Sequence, residues 1–260
     1  MDFLIKLLNS RPRKNEIALF WLGQAGFVIK DSDEKVIVVD PYLSDCVERI
    51  WGYKRLMMPV ISPNDLKADI IIATHHHEDH LDIDAIPILM SNSKTQLFGS
   101  KTAVKICQEI KIEPQRLQAL SPGDVRTIDD VEIHAVYADH GEMAPDAIGF
   151  ILTVKGIRIY FTGDTAYRPL EMECAMKSNP DILIFPINGA FGNLNAEEAA
   201  KLASQVKARI TIPSHFWTFA EHFGDPYEFE AKMKEYSPDC QRVILCQGEE
   251  FRYVRNGKSI

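Results

Sequence analysis

A chain of 260 residues with 46% hydrophobic side chains holds enough apolar material for one sizeable core, and a single catalytic domain over residues 1–260 is the expected organisation. The formal net charge of −8 sets aside a nucleic-acid partner, which needs clustered Lys and Arg, but leaves a small anionic substrate open wherever divalent cations dominate the local field. No run approaches the ~20 apolar residues of a membrane span, and the five cysteines, odd in number and without C-x-x-C spacing, read as reduced thiols of a cytoplasmic protein.

Residues 1–8 are apolar but short for a secretory core, and a polar, basic stretch follows at once. Residues 17–22, 27–30 and 36–40 alternate or run apolar around Gly23, Gly26 and Asp33, which predicts an antiparallel meander. Lys54 and Arg55, in the long segment between Asp45 and Pro63, read as a solvated basic pair. The run 69–73 is β-branched and apolar, as in a buried strand, and the sequence Thr74-His75-His76-His77-Glu78-Asp79-His80-Leu81-Asp82 begins where it ends. His75, His77, Asp79 and His80 place three imidazoles and a carboxylate within six residues, a donor set suited to Zn, Mn or Fe. A solvated turn or adventitious metal binding is the plainer reading of such a cluster. Its position at a strand end favours a site, because ligands sit preferentially on loops held by a rigid sheet. His76 alternates with the candidate donors and is expected to point elsewhere, into a supporting or solvent-facing position.

Helix-like stretches at 83–90 and 103–110 flank a strand at 97–98, and β-runs follow at 116–120, 131–138, 147–154 and 157–162. His140 comes just after the second of these β-runs and before Gly141, at a strand-to-loop corner, and Asp164 follows the last, after Gly163. Beyond them the pattern predicts a strand at 181–185, a helix at 197–206 capped by Asn195, a strand at 209–214 leading into His215, a helix at 227–236 and a strand at 243–246. Singly, His140 reads equally as a turn residue, Asp164 as a helix cap or turn carboxylate, and His215 as a core-edge imidazole. Together with the 74–82 cluster they repeat one strand-then-ligand design four times. Two sheets packed face to face with helices outside, an α/β fold of αββα four-layer type, would bring these loops to one edge.

The ordered set His-x-His-x-Asp-His, lone His, Gly-Asp-Thr and Ser-His resembles the metallo-β-lactamase superfamily over roughly residues 16–254. The resemblance implies that His75, His77 and His140 bind one metal, that Asp79, His80 and His215 bind a second, and that Asp164 bridges them. It makes Asp79 and Asp164 the catalytic carboxylates and Asp40 an orienting residue. Two divalent ions, Mn or Zn, would be the cofactors, and such a pair lowers the pKa of a shared water toward ~7. The segments Trp21-Leu22-Gly23-Gln24-Ala25-Gly26-Phe27, Asp40-Pro41-Tyr42-Leu43-Ser44, Pro186-Ile187-Asn188-Gly189 and Gly224-Asp225-Pro226 resemble the branch containing L-ascorbate-6-phosphate lactonases. Hydrolysis of a phosphorylated sugar-acid lactone is therefore the first expectation and phosphodiester hydrolysis the second. A di-iron oxidoreductase of the same fold places Glu where this chain has His77, and a non-catalytic scaffold typically loses ligands that are all present here. His222, Trp217 and Asn188 are the expected substrate contacts, the first two because the aromatic segment 216–222 follows His215 directly. The expected partner is a small molecule, with no nucleic acid and no membrane, and self-association into a homo-oligomer stays open.

Overall fold

The computed structural model describes residues 2–255; residue 1 and residues 256–260, which the single-domain reading included, lie outside the described residues. The chain begins with helix α1 (Phe3–Asn9) and then builds strands β1 (Glu16–Gly23), β2 (Gly26–Asp31), β3 (Val36–Val39), β4 (Ile70–Ala73), β5 (Gln96–Ser100) and β6 (Leu117–Leu120), with helices α2 (Cys46–Trp51), α3 (Ile86–Leu89) and α4 (Lys101–Glu109) between them. Its second half supplies β7 (Val125–Ile128), β8 (Val131–Tyr137), β9 (Ile148–Val154), β10 (Ile157–Phe161), β11 (Ile182–Pro186), β12 (Ile210–Ser214) and β13 (Gln241–Arg242), together with α5 (Glu173–Met176), α6 (Ala196–Val206) and α7 (Pro226–Tyr236). A last strand, β14 (Glu250–Val254), returns to the first sheet.

The described strands form two seven-stranded sheets, ordered β14-β1-β2-β3-β4-β5-β6 and β13-β12-β11-β10-β9-β8-β7. Each half starts antiparallel and turns parallel, at β3–β4 in one and β10–β11 in the other. The loops after the parallel strands therefore emerge at one end of each sheet.

Sequence alternation shows why the layers stack. In β1, Ile17, Leu19 and Trp21 enter the core shared with Ile133, Phe150 and Ile159 of the second sheet, while Ala18, Phe20 and Leu22 enter a separate core with α1, α3 and α4. Strand β4 is buried at every position, which accounts for its unbroken apolar run. On the far side, Asn195 and Glu198 form a reciprocal capping box at the start of α6, and the alanine-rich face of that helix lies close against the second sheet. The two mixed sheets flanked by helices are the expected α/β four-layer arrangement.

Some elements differ from the sequence pattern. Residues 243–246 do not form the expected strand, because the edge pairing of β13 with β12 stops after Arg242 and the chain leaves toward the first sheet, where Gly248 N donates to Trp21 O at 2.7 Å. The helix expected over 83–90 shrinks to α3, since the preceding turn is organised by Asp82, whose carboxylate accepts from the backbone of Leu43, Ser44, Asp84 and Ala85. Strands β7 and β14 pair at sheet edges and carry weak apolar patterns, so the sequence reading missed them.

Candidate metal centre

Five loops converge on one point. Asp40 follows β3, the 74–82 segment follows β4, His140 lies just beyond β8, Asp164 lies beyond β10 and His215 follows β12. The geometry is demanding. Gly163, at φ +63°, turns the chain into Asp164 at a place where a Cβ would sit 2.7 Å from Ile148 O. Gln24, Asp40, His215 and Trp217 hold left-handed φ values of 51°, 42°, 57° and 61° although none is glycine. Such backbone persists only where surrounding contacts enforce it, and it concentrates at functional sites.

The donor atoms meet in the groups that the resemblance implies. His75, His77 and His140 bring ring nitrogens within 4.8 Å of one another, and so do Asp79, His80 and His215 with their ligand atoms. His77 Nδ1 lies 2.9 Å from His75 Nε2 and 3.3 Å from His140 Nε2. Asp164 spans the two triads: Oδ1 is 3.4 Å from His80 Nε2, while Oδ2 is 3.1 Å from His215 Nε2 and 3.8 Å from His140 Nε2. All seven side chains are buried except His77, which is half-buried.

These residues fit divalent metal. Asp40 accepts from His80 Nδ1 at 2.9 Å, while Thr74 donates to Asp40 through both its backbone N and its hydroxyl at 2.8 Å. A carboxylate behind an imidazole fixes its tautomer and leaves the opposite nitrogen as a lone-pair donor. That nitrogen, His80 Nε2, is buried without a hydrogen-bond partner and faces Asp79 and Asp164. The electrostatics also select positive charge. Burial alone would lower both imidazoles, yet Asp164 and Asp79 lift His215 up to about 9 and hold His80 well above the usual range. Conversely, burial raises Asp79 and Asp164, but His80 and His215 hold both carboxyls well below the carboxylate range. Burial pushes His140 down to about 4 and also lowers His75 and His77, so this triad presents neutral imidazole, the form that ligates metal.

Two amides complete the centre, and the sequence reading assigned a role to neither. Gln24 Nε2 donates to Asp79 Oδ2 and Asn193 Nδ2 donates to Asp164 Oδ2, both at 2.7 Å. Each carboxylate that could bind metal is thus aimed by a buried amide. Gln24 also joins the two halves, its carbonyl accepting from His215 N and Trp21 Nε1 at 2.9 Å. The available signal was an amide within a glycine-rich turn, as in Gly23-Gln24-Ala25-Gly26 and Gly192-Asn193.

A cavity of about 420 Å³ opens directly over these donors. Asp79, His77, His140 and Asp164 form its floor, and Val47, Trp51, Tyr53, Met143, Phe191 and Phe219 give it an apolar wall. His222 lines it as expected, stacked 4.9 Å from His215 with the ring planes 25° apart. Burial, and then His215, push the His222 imidazole down to about 4. The other two expected substrate contacts are not among the residues lining the cavity. Trp217 is half exposed, its backbone in a left-handed turn, and meets Phe216 edge-on, and Asn188 pairs through its backbone with Asn195 while its side-chain amide is buried without a hydrogen-bond partner. His76 does line the wall, a position the alternation argument did not give it. Arg55 is not solvated: it is buried, stacks 4.1 Å over the Tyr42 ring and donates to the carbonyls of Tyr42, Ser44 and Met57. No Lys or Arg lines the cavity, so a substrate phosphate finds no side-chain counter-ion there.

A family model described as a beta-lactamase superfamily domain matches residues 18–215. A UPF0173 metal-dependent hydrolase from Polynucleobacter asymbioticus is 29% identical over 257 residues, covering 90% of this chain and 86% of that one. One from Archaeoglobus fulgidus is 28% identical over 244 residues, with 90% and 97% covered. Among solved structures, Igni18, a metallo hydrolase from Ignicoccus hospitalis, superposes with a TM-score of 0.74 at 21% identity, covering 93% of this chain and all of that one. No helix among the described residues is long and apolar enough to cross a membrane.

Proposed function

The chain belongs to the beta-lactamase superfamily domain family as a metal-dependent hydrolase, and from that premise we propose that it hydrolyses carboxylic esters, lactones first among them, at a centre of two divalent cations, Mn or Zn. His75, His77 and His140 would hold one cation, Asp79, His80 and His215 the other, and Asp164 would be shared. When bound, such cations supply Lewis acidity toward a carbonyl oxygen and lower the pKa of water toward ~7.

The protein's own groups do the positioning. Asn193 fixes Asp164 between the two triads, and Asp40 holds His80 in the tautomer that turns Nε2 inward. Gln24 directs Asp79 at the cavity floor, where its carboxylate can take a proton from the attacking water. The Gln24 amide also donates toward His222 Nδ1 at 3.3 Å, which leaves the His222 proton on Nε2 for a substrate oxygen. The apolar wall excludes bulk water from the reacting carbonyl, which strengthens every polar contact on the floor.

The observation that carries this reading is that carboxylate and imidazole donors of both triads face one cavity, linked by Asp164. The resemblance to lactonases supports the choice of electrophile. The test is elemental analysis of metal-saturated protein followed by turnover of sugar and aliphatic lactones, phosphodiesters and thioesters. Two ions per chain with lactones turned over fastest is the expected result. One ion at most would remove the dinuclear centre, and phosphodiesters turned over fastest would replace the ester by a phosphoryl substrate.

A further inference from the structure

We infer that the substrate is a neutral ester or lactone carrying an aromatic or branched apolar group, which the wall of the cavity holds beside the donor cluster. This rests on the ester-hydrolase reading above and names the substrate class of the same site.

Charge and surface agree on it. Every ionisable side chain lining the cavity is an acid or an imidazole, and Glu78 adds an anion at the rim. Arg55 is committed to three backbone carbonyls and the Tyr42 ring, and Arg168 is paired with Asp139 at 2.7 Å. An anionic substituent lying along the wall, away from cations held at the floor, would face Glu78 with no lining Lys or Arg to pair it, an unfavourable like-charge juxtaposition. The wall offers the opposite. Trp51, Met143 and Phe191 remain 62%, 45% and 43% exposed around the mouth, although large apolar side chains gain by being covered. The wall is also ordered in advance, because Trp51 Nε1 donates to Glu78 Oε2 at 2.8 Å and Phe191 packs 4.9 Å from the His222 ring. An apolar group of the substrate covers these three side chains while His222 meets its carbonyl end.

The experiment uses metal-loaded protein and two matched series. In the first, γ-lactones with methyl, propyl, pentyl and phenyl substituents are compared with a phosphorylated sugar lactone as substrates. In the second, the corresponding substituted cyclopentanones, which cannot be hydrolysed, are titrated while the emission of Trp51 is followed, with Trp51→Phe as the control. We expect kcat/KM and ketone affinity to rise together by up to about fourfold per added methylene, the phosphorylated lactone to be slower than the phenyl lactone by about tenfold or more, and Phe191→Ser to flatten the chain-length dependence. A phosphorylated lactone turned over fastest, or a flat dependence in both series, overturns the apolar substrate class and leaves the hydrolase standing. Ketone binding with the expected slope but no turnover of any lactone or ester supports the ligand class and removes the hydrolysis it was attached to. An unchanged slope in Phe191→Ser overturns the wall's role.

Discussion

The floor and the wall of the cavity are built on opposite principles. On the floor, seven side chains come from four loops, and five of them, His75, Asp79, His80, Asp164 and His215, are held at hydrogen-bond distances by a second set, Asp40, Thr74, Gln24 and Asn193; left-handed backbone occurs at three of the supporting or donor positions. The wall consists of large apolar side chains from α2, the segment after it and three later loops, joined by aromatic contacts and partly open to solvent. Donors of a metal centre must be fixed within fractions of an ångström, whereas an apolar wall needs only area and shape. A fixed floor and a replaceable wall let one chemistry serve different substrates, and the division can be tested at each level.

The largest effect belongs to Asp164. Because both its oxygens lie beside His80 and His215 of one triad and Oδ2 also lies 3.8 Å from His140 Nε2 of the other, Asp164→Ala should lower kcat by on the order of a thousandfold, several kcal/mol of transition-state stabilisation. The loop carries the residue outside the shared core, so thermal unfolding followed by circular dichroism should change little. A variant with wild-type turnover and full metal content would dissolve the distinction between floor and wall.

Next come the amides. Gln24→Ala and Asn193→Ala should each cost about 10- to 100-fold in metal affinity or turnover, the usual scale for groups that orient ligands. Metal titration by calorimetry alongside steady-state kinetics separates the two. If neither quantity moves, the amides fill space and the carboxylates aim themselves.

The two regions were also unequally legible. His75, His77, Asp79 and His80 stand out because they sit in one short segment at a strand end, whereas His140, Asp164 and His215, single residues after separate strands, are set beside them by the resemblance of the ordered set to the superfamily. The strands of the two sheets follow equally well, since burial on both faces writes continuous apolar runs such as Ile70-Ile71-Ile72. The wall has no such signature. Trp51, Met143 and Phe191 are single apolar residues in separate loops, and only the folded topology brings them together. Trp217 shows the cost of reading proximity from adjacency: it lies two residues from His215, yet one left-handed turn sends its ring to the surface. Arg55 was misread for a related reason, because a basic residue in a long loop carries no mark of the carbonyls that will receive it.

His222 stands where floor and wall meet, and His222→Ala should lower kcat/KM by about tenfold, the scale of one hydrogen bond of 1–1.5 kcal/mol. Metal content should stay at the wild-type value, since the ring contacts Gln24 and stacks on His215 without joining either triad. Loss of metal would move His222 into the floor, and unchanged kinetics would take it out of the site.

The smallest effect comes from carboxylates that belong to neither region and set the scale for ordinary surface charge. Lys155 gathers Asp33 and Asp130 from two turns at the edge of the sheets, and Lys35 adds a second bond to Asp130. The hydrogen bond from Lys155, followed by that from Lys35, lowers the Asp130 carboxyl to about 2. An unfolded Asp titrates near ~3.9, so the folded state binds its proton less readily. The stabilisation is therefore fully present above about pH 4 and disappears as the pH falls toward about 2. Because the Asp130 side chain is 44% exposed, solvent screening holds its contribution to at most ~1 kcal/mol. Asp130→Asn should accordingly lower the melting temperature at neutral pH by no more than about 4 °C, and the difference from wild type should shrink both at about pH 2 and in roughly 1 M salt, where the Debye length is about 3 Å. Urea unfolding across that pH range, with and without salt, measures it. A difference that persisted unchanged in acid and in salt would mean that packing rather than charge holds the turns together, and Asp130 would no longer serve as the exposed counterpart to the buried carboxylates of the floor.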